Sequence, residues 1–390
     1  MSVDAIVIQG RLIIHIGWPK TGTSSLQAFL QTNRERFNSL GIEYPCDENL
    51  PFVHAGHHGP LAACLDSSPP DYVPAAKNLA ADIVLRSLSD WLADTSHDVV
   101  LSSEHLSFRL ADTAAVARLC DAISGRQVSV FCHLRRQDEL ALSAYGTEVL
   151  CGRQAPFSTQ EINPSNVLLN YSKALKPWVD AFGADNIALR AWQPDTDTRH
   201  ELLCLLGLPP DGFTFGRLLN ESLGFTAIEM LRAVNAHLAD FDLTPDIDTY
   251  RASIEARLAL CDVLPAGTPL SRIIDPVILR AVLAGFREEN LWLARTFNDA
   301  TFCRDWTEAA ASPSLHGTTT IIDADLKIDV FAQALARAGT RLAGVSDSVV
   351  NSPSSPDSVP LSYSRSTAGW ARRMINGFVA KFRSVKHGAK

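Results

Sequence analysis

RLIIHIGWPKTGTSSLQAFL, residues 11–30, is the stretch whose reading decides the fold. It opens with Leu12-Ile13-Ile14-His15-Ile16, an apolar β-branched run closed by Gly17, as expected of a strand buried in a parallel sheet. It ends on Ser24-Ser25-Leu26-Gln27-Ala28-Phe29-Leu30, where Leu26, Phe29 and Leu30 take helical spacing behind Thr and Ser caps. Between them, Gly17-Trp18-Pro19-Lys20-Thr21-Gly22-Thr23-Ser24 is a strand-to-helix turn with one lysine and several hydroxyls. The first N–H groups of a helix have no intrahelical partner, so an anion is favoured there. Gly22 lets the backbone come close to that anion, and Lys20 adds a mobile positive charge. The stretch reads as a phosphate cradle; a plain capped helix after a buried strand is the alternative.

The nucleotide-triphosphate form of such a cradle is GxxxxGK[ST], with lysine directly after the second glycine. Gly17 and Gly22 keep that separation, but Thr23 holds the lysine position and Lys20 lies inside the loop. The order Pro19-Lys20-Thr21-Gly22-Thr23-Ser24 resembles the 5′-phosphosulfate loop of sulfotransferases that use 3′-phosphoadenosine 5′-phosphosulfate (PAPS). The flanking IHIG and SSLQ resemble the bacterial carbohydrate-type members. That resemblance implies cofactor binding by Pro19, Lys20, Thr21, Gly22, Thr23, Ser24 and Ser25, with Lys20 catalytic.

Composition sets the outer limits. At 390 residues the chain suffices for one large α/β domain with an appendage or for two domains. Hydrophobic content of 46% and charged content of 20% fit an ordinary globular protein, and a formal net charge of -8 argues against general nucleic-acid binding. Eight cysteines are scattered without a C-x-x-C pair, which suits reduced thiols in a cytoplasmic setting. No run of about 18 apolar residues occurs, and the basic-then-apolar order of a signal peptide is absent, so a cytoplasmic body is expected.

Further along, Leu40–Pro45 reads as a short second strand, followed by His54, His57 and His58 in HAGHHGP. Three close histidines suggest a metal, but no cysteine or carboxylate completes a zinc spacing; a place beside the acceptor cleft and plain surface histidines are the other readings. Residues 79–94 have helical periodicity, and Asp98–Ser103 reads as a buried strand. Glu104 and His105 stand just past its end, where a doubly wound sheet binds ligands, so either is a candidate general base. If the local chain is extended, the two point to opposite sides and one faces the cleft. Alternatively, Glu104 begins the next helix or pairs with an arginine.

Val128–Leu134 is the next strand and runs into Arg135, with a helix following through Leu140, Leu142, Tyr145 and Val149. This junction resembles the second sulfotransferase signature, an arginine closing a strand and a serine eight residues on; Arg135 and Ser143 keep that spacing. The resemblance implies that they hold the 3′-phosphate of the cofactor, a task suited to a forked guanidinium and a hydroxyl. Asn170–Phe182 reads as a helix and Ile187–Trp192 as a strand, with Trp192 either a core aromatic or a wall of the adenine or acceptor pocket. The animal-type relatives place an aromatic near the cradle to stack on adenine, whereas this chain has Leu26.

The segment NESLG, residues 220–224, also resembles the bacterial family, and Ala227–Leu238 reads as an amphipathic helix within a leucine-rich helical region. The expected organisation is a PAPS-binding α/β core over 1–215, a helical extension covering the cleft over 216–344, a Ser/Pro-rich linker over 345–369 and a basic amphipathic helix over 370–390. In the last segment Trp370, Met374, Phe378 and Phe382 recur every four positions among Arg and Lys, which suits an anionic membrane surface or docking back onto the acidic body. The resulting expectation is a P-loop-type, doubly wound, mainly parallel sheet flanked by helices. The resemblance implies a PAPS-dependent sulfotransferase acting on a carbohydrate or other hydroxyl acceptor, without a metal. A P-loop kinase and a nucleotide- or glycan-binding protein without turnover are the rival classes.

Overall fold

Five parallel strands make one sheet in the order β2-β3-β1-β4-β5: β1 (Leu12–His15), β2 (Ile42–Glu43), β3 (Asp98–Ser102), β4 (Val128–Leu134) and β5 (Ile187–Ala191). The computed structural model describes residues 10–67, 73–74, 77–193, 195–216 and 276–307, with residues 224–225, 227–229, 231–232, 235 and 274 besides. Most of the expected helical extension before residue 276, the linker over 345–369 and the basic segment over 370–390 lie outside the described residues.

Parallel strands need crossover connections, and here helices supply them on both sheet faces. Ile13, Val100 and Phe131 point to one face, where they pack with Leu26, Phe29 and Leu30 of α1 (Thr23–Thr32). Phe37 of α2 (Arg34–Ser39) and Leu202, Leu203 and Leu206 join the same cluster. Leu12, Ile14, Val99, Leu101, Val130 and Cys132 alternate onto the other face and are equally buried. Strands covered on both sides read as apolar runs, and β1, β3 and β4 were visible as such, whereas β2 carries Glu43 and β5 the exposed Arg190.

The remaining helices of the sheet unit are α3 (Gly59–Ala63), α4 (Ala81–Ala93), α5 (His105–Phe108), α6 (Thr113–Ala122) and α7 (Gln137–Leu150). They are followed by α8 (Tyr171–Phe182), α9 (Thr198–Leu206), α10 (Pro276–Ala284), α11 (Arg287–Thr296) and α12 (Thr301–Thr307). α4 packs on α6 and α6 on α8, while α11 packs on α8. Two polar links tie α11 down: the Gln137 amide donates to Asn290 at 2.7 Å, and Ser172 donates to Glu289. By internal packing the chain divides into two units, and Met1–Ala144, Ser158–Glu221 and Ile274–Ser312 form the one that holds the sheet. The second takes over at Tyr145, within α7; there Tyr145 donates to Glu229, and the Asn235 amide donates to the Val149 carbonyl at 2.7 Å.

Each residue singled out from the sequence as a site residue belongs to the sheet unit. The carboxyl ends of β1 and β3 are neighbours in the sheet, with His15 in register with Ser102. The turn after β1 and the residues after β3 therefore emerge side by side.

Candidate active site

The turn from β1 to α1 is built from left-handed backbone. Gly17, Lys20 and Gly22 have φ of 51°, 67° and 92°. Lysine in this region costs about 1 kcal/mol, so the surroundings must hold it there. Trp18 is the anchor: fully buried, it donates from its indole N–H to the Leu168 carbonyl at 3.0 Å and meets the Tyr171 ring edge-on. The Thr21 hydroxyl donates to the Trp18 carbonyl at 2.7 Å, so its side chain braces the turn. A Cβ on Gly17 would fall 2.7 Å from the Thr23 side chain, and one on Gly22 would fall 3.0 Å from Thr198 Oγ1. Both positions thus need glycine for space as well as for φ.

Gly22 caps α1 without a side-chain hydrogen bond, and no acidic residue lies in the first turn. A ten-residue helix whose N-terminus lacks a side-chain cap and an acidic residue in its first turn, with a lysine in the turn before it, is suited to an anion. Pro19, Lys20 and Ser24 are half-buried, whereas Thr21, Thr23 and Ser25 are buried. The hydroxyls therefore shape the cradle from inside, and the backbone with Lys20 forms its accessible face.

Glu104 does not continue an extended strand. Its φ of -65° and ψ of -23° make it the N-cap of α5, and His105 is the first helical residue. The expected alternation of the two side chains to opposite sides is thereby corrected: neighbours on a helix turn diverge by about 100°. The cause is local, since the Ser103 hydroxyl accepts from the His105 N–H at 3.3 Å and the Ser107 hydroxyl donates to the Glu104 carbonyl at 2.7 Å. Glu104 still stands against the cradle, because a Cβ on Gly17 would lie 3.3 Å from its Cα. Its carboxylate accepts from the Gln27 amide at 3.3 Å.

The three histidines of HAGHHGP have separate tasks. His54 and His57 bridge across a tight turn, with Ala55 and Gly56 at φ of 49° and 70°. That turn is pinned by Tyr44 and Gln31, both donating to the Gly56 carbonyl. His58 is a core residue: its Nδ1 accepts from the Ser102 N–H at 2.9 Å, and burial pushes the ring down to about 3. His57 faces the strand tip, its ring 6.4 Å from that of His105. Its Nδ1 accepts from the Gly59 N–H at 3.0 Å, which puts the proton of the neutral ring on Nε2. Burial holds His57 below its ordinary value, and the nearby Glu104 opposes that shift. Among the described residues no group of three or more His, Cys, Asp or Glu side chains is arranged to hold a metal ion.

His15 is also fully buried, with its Nδ1 2.8 Å from Ser102 Oγ, and burial pushes it down to about 3 from an ordinary 6.5. Folding thus excludes a proton that the unfolded chain accepts below pH 6.5. Stability contributed by neutral His15 and His58 is complete above that pH and lost as pH falls toward about 3. At pH 5 each is expected to have cost about 2 kcal/mol. Thermal melts at pH 7.5 and pH 5 check this: the midpoint should drop at the lower pH, and by less in His58→Gln. Equal midpoints would contradict it.

Arg135 closes β4 and reaches the cradle. Its Nη1 donates to the Lys20 carbonyl at 3.4 Å, its Nε faces Glu139 at 3.4 Å, and its guanidinium lies 4.1 Å from the centre of the Trp192 ring. Tyr171, which receives Trp18, donates to the Arg135 carbonyl. Trp192 is accordingly the stacking platform of Arg135, a role that the sequence left between core and pocket wall. Burial lowers Arg135 from its ordinary value, and Glu139 is the main opposing influence. Ser143 is half-buried one helical turn beyond Glu139, so Glu139 and Ser143 share the α7 stripe next to Arg135. Arg136 pairs with Asp138 at 2.6 and 2.9 Å and with the other oxygen of Glu139 at 3.3 Å, so Glu139 bridges both arginines.

The cradle, Glu104, His105 and Arg135 therefore surround the carboxyl ends of β1, β3 and β4. Trp18, Gln27, His57 and Trp192 complete this neighbourhood, and the sequence carried a functional signal only for Trp192 and, within its histidine motif, His57. Trp18 and Gln27 become informative through partners that lie 75 to 150 positions away.

No protein-family model matches this chain, and no curated protein matches it. Among solved structures, the chain is similar to a sulfotransferase from Alicyclobacillus acidocaldarius at 16% identity and a TM-score of 0.34. The match covers 62% of this chain and 99% of that one. A likeness this distant carries no argument about chemistry, which rests on the residues themselves.

Proposed function

We propose that this chain is a sulfotransferase that moves a sulfuryl group from PAPS to a hydroxyl acceptor, with a carbohydrate as the acceptor class. The observation that carries the reading is the turn from β1 to α1: an uncapped helix N-terminus, three left-handed residues and Lys20 inside the loop, tied through the Lys20 carbonyl to Arg135. Such a turn offers backbone N–H groups and one ammonium to a compact dianion. Against the kinase reading stands Thr23 at the position where a triphosphate loop has its lysine.

When bound, PAPS supplies an activated sulfuryl group on a phosphosulfate anhydride. Residues 19–25 would hold its 5′ end, and Arg135 with Ser143 its 3′-phosphate. Lys20 and the α1 N-terminus supply positive charge in a site closed from below by Trp18, and such preorganised charge is most effective where negative charge accumulates. Glu104 or His105 takes the proton of the acceptor hydroxyl. Glu104 is favoured because its carboxylate is held by a buried amide at the cradle's edge. Glu104→Gln is expected to reduce kcat about 100-fold or more, and His105→Ala less. Comparable activity of both variants to the parent protein would remove the pair from the mechanism.

Glu139 gives a binding test that needs no acceptor. A phosphate on Arg135 must compete with this carboxylate, so Glu139→Gln is expected to tighten adenosine 3′,5′-bisphosphate about fivefold. Calorimetry with adenosine 5′-monophosphate as control checks it. An equal gain for both nucleotides would show that Arg135 does not read the 3′ position.

A further inference from the structure

Gln27 lies on the second turn of α1, between the fully buried Leu26 and the buried Phe29, and is itself only 9% exposed. A primary amide at such a position has to satisfy its hydrogen bonds within the protein. Its Nε2 is 3.3 Å from Ser102 Oγ and 3.3 Å from Glu104 Oε2. Turned over, the amide would set its carbonyl oxygen against a carboxylate, so the donating orientation is the one the site accepts. Ser102 is the last residue of β3, and its hydroxyl continues to His15 Nδ1 at 2.8 Å, at the end of β1. A polar line His15–Ser102–Gln27–Glu104 thus joins both strand ends, the helix of the cradle and the start of α5.

This line has a direction. An amide nitrogen only donates, so the Glu104 carboxylate accepts and the bond fixes its orientation. Around it stand Tyr44 on the β2 side, His57 from the histidine turn and His105 on its own helix. Burial holds the Tyr44 hydroxyl neutral and keeps His57 low, so neither competes as a fixed charge.

We propose that Gln27 is a positioning residue that keeps the Glu104 carboxylate aimed, and that it makes base and cradle parts of one hydrogen-bonded body. The proposal rests on the reading of Glu104 as the proton acceptor and deepens it by singling out Glu104 over His105.

The test uses the full chain labelled with carbon-13 at glutamate carboxyls, with the Glu104 signal assigned by its loss in Glu104→Gln. Gln27→Met keeps length and burial but removes the donor; Gln27→Asn keeps an amide that is too short to reach. In both, the Glu104 carboxyl signal at pH 7.5 is expected to move, and kcat to fall about tenfold with the acceptor KM within about twofold. Binding of adenosine 3′,5′-bisphosphate should remain within about threefold, since the cradle itself is untouched. An unchanged Glu104 carboxyl signal in a variant that still binds this nucleotide overturns the proposal. A wild-type protein that transfers no sulfuryl group overturns the functional reading instead, while the carboxyl signal still decides whether Gln27 holds Glu104.

Discussion

Lys20→Ala is expected to lower turnover by about 100- to 1,000-fold while changing affinity for adenosine 3′,5′-bisphosphate by less than about tenfold. The asymmetry follows from where the charge is needed. On the proposed reading the α1 N-terminus and Arg135 would hold the cofactor's ground state, so the ammonium would contribute modestly to binding. Its charge would count mainly where negative charge accumulates during transfer. The backbone of residue 20 is left-handed and its carbonyl receives Arg135, so the variant should be compared with Lys20→Arg, which keeps charge and backbone demands. Steady-state kinetics with calorimetry on the product nucleotide separates the two effects. Equal losses in kcat and in affinity would make Lys20 a binding residue only.

Arg135→Ala is the second large effect. It removes the guanidinium that stacks on Trp192, faces Glu139 and ties the end of β4 to the Lys20 carbonyl. Affinity for adenosine 3′,5′-bisphosphate is expected to fall about 10- to 100-fold, the range for losing a charge-assisted pair. Adenosine 5′-phosphosulfate, which lacks the 3′-phosphate, should lose several-fold less. Because the Lys20 carbonyl also loses its donor, a small uniform loss is built into the expectation. A uniform loss as large as the total would assign Arg135 to cradle support alone. Arg135→Lys restores charge without the fork or the stacking, and should recover only part of the difference.

β1, β3 and β4 were legible as short, largely apolar runs, while β2, with Glu43, and β5, with the exposed Arg190, were legible from the breakers beside them. Leu12–Ile16 stops at Gly17, and Ile187–Trp192 follows Gly183-Ala184-Asp185-Asn186. Burial on both faces removes the alternation that would otherwise be needed to read a strand. The cradle was legible for a different reason: glycine, lysine and hydroxyls placed between a strand and a helix have one chemical use that suits them all. α6 and α9 gave weaker signals, since their buried positions are spread among polar residues and their N-caps, Asp112 and Asp197, resemble any loop aspartate.

What stayed hidden depends on partners distant in sequence. Gln27 is an ordinary helical residue until Ser102 and Glu104, about 75 positions away, are set against it. Trp18 is simply one residue of the turn until Leu168 and Tyr171 enclose it. His58 shares a motif with His54 and His57, yet it alone is drawn into the core by the Ser102 backbone. Glu104 and His105 would alternate only on an extended chain; two serine hydroxyls bend it immediately after β3, so Glu104 opens the next helix, the alternative the sequence offered.

The most direct measurement of the central claim is transfer of radiolabelled sulfur from PAPS to a panel of glycans, with γ-labelled ATP as the control donor. The account predicts label on at least one glycan from PAPS, abolished in Lys20→Ala, and none from ATP. Label arriving from ATP, or binding of PAPS with no transfer to any hydroxyl acceptor, would contradict it.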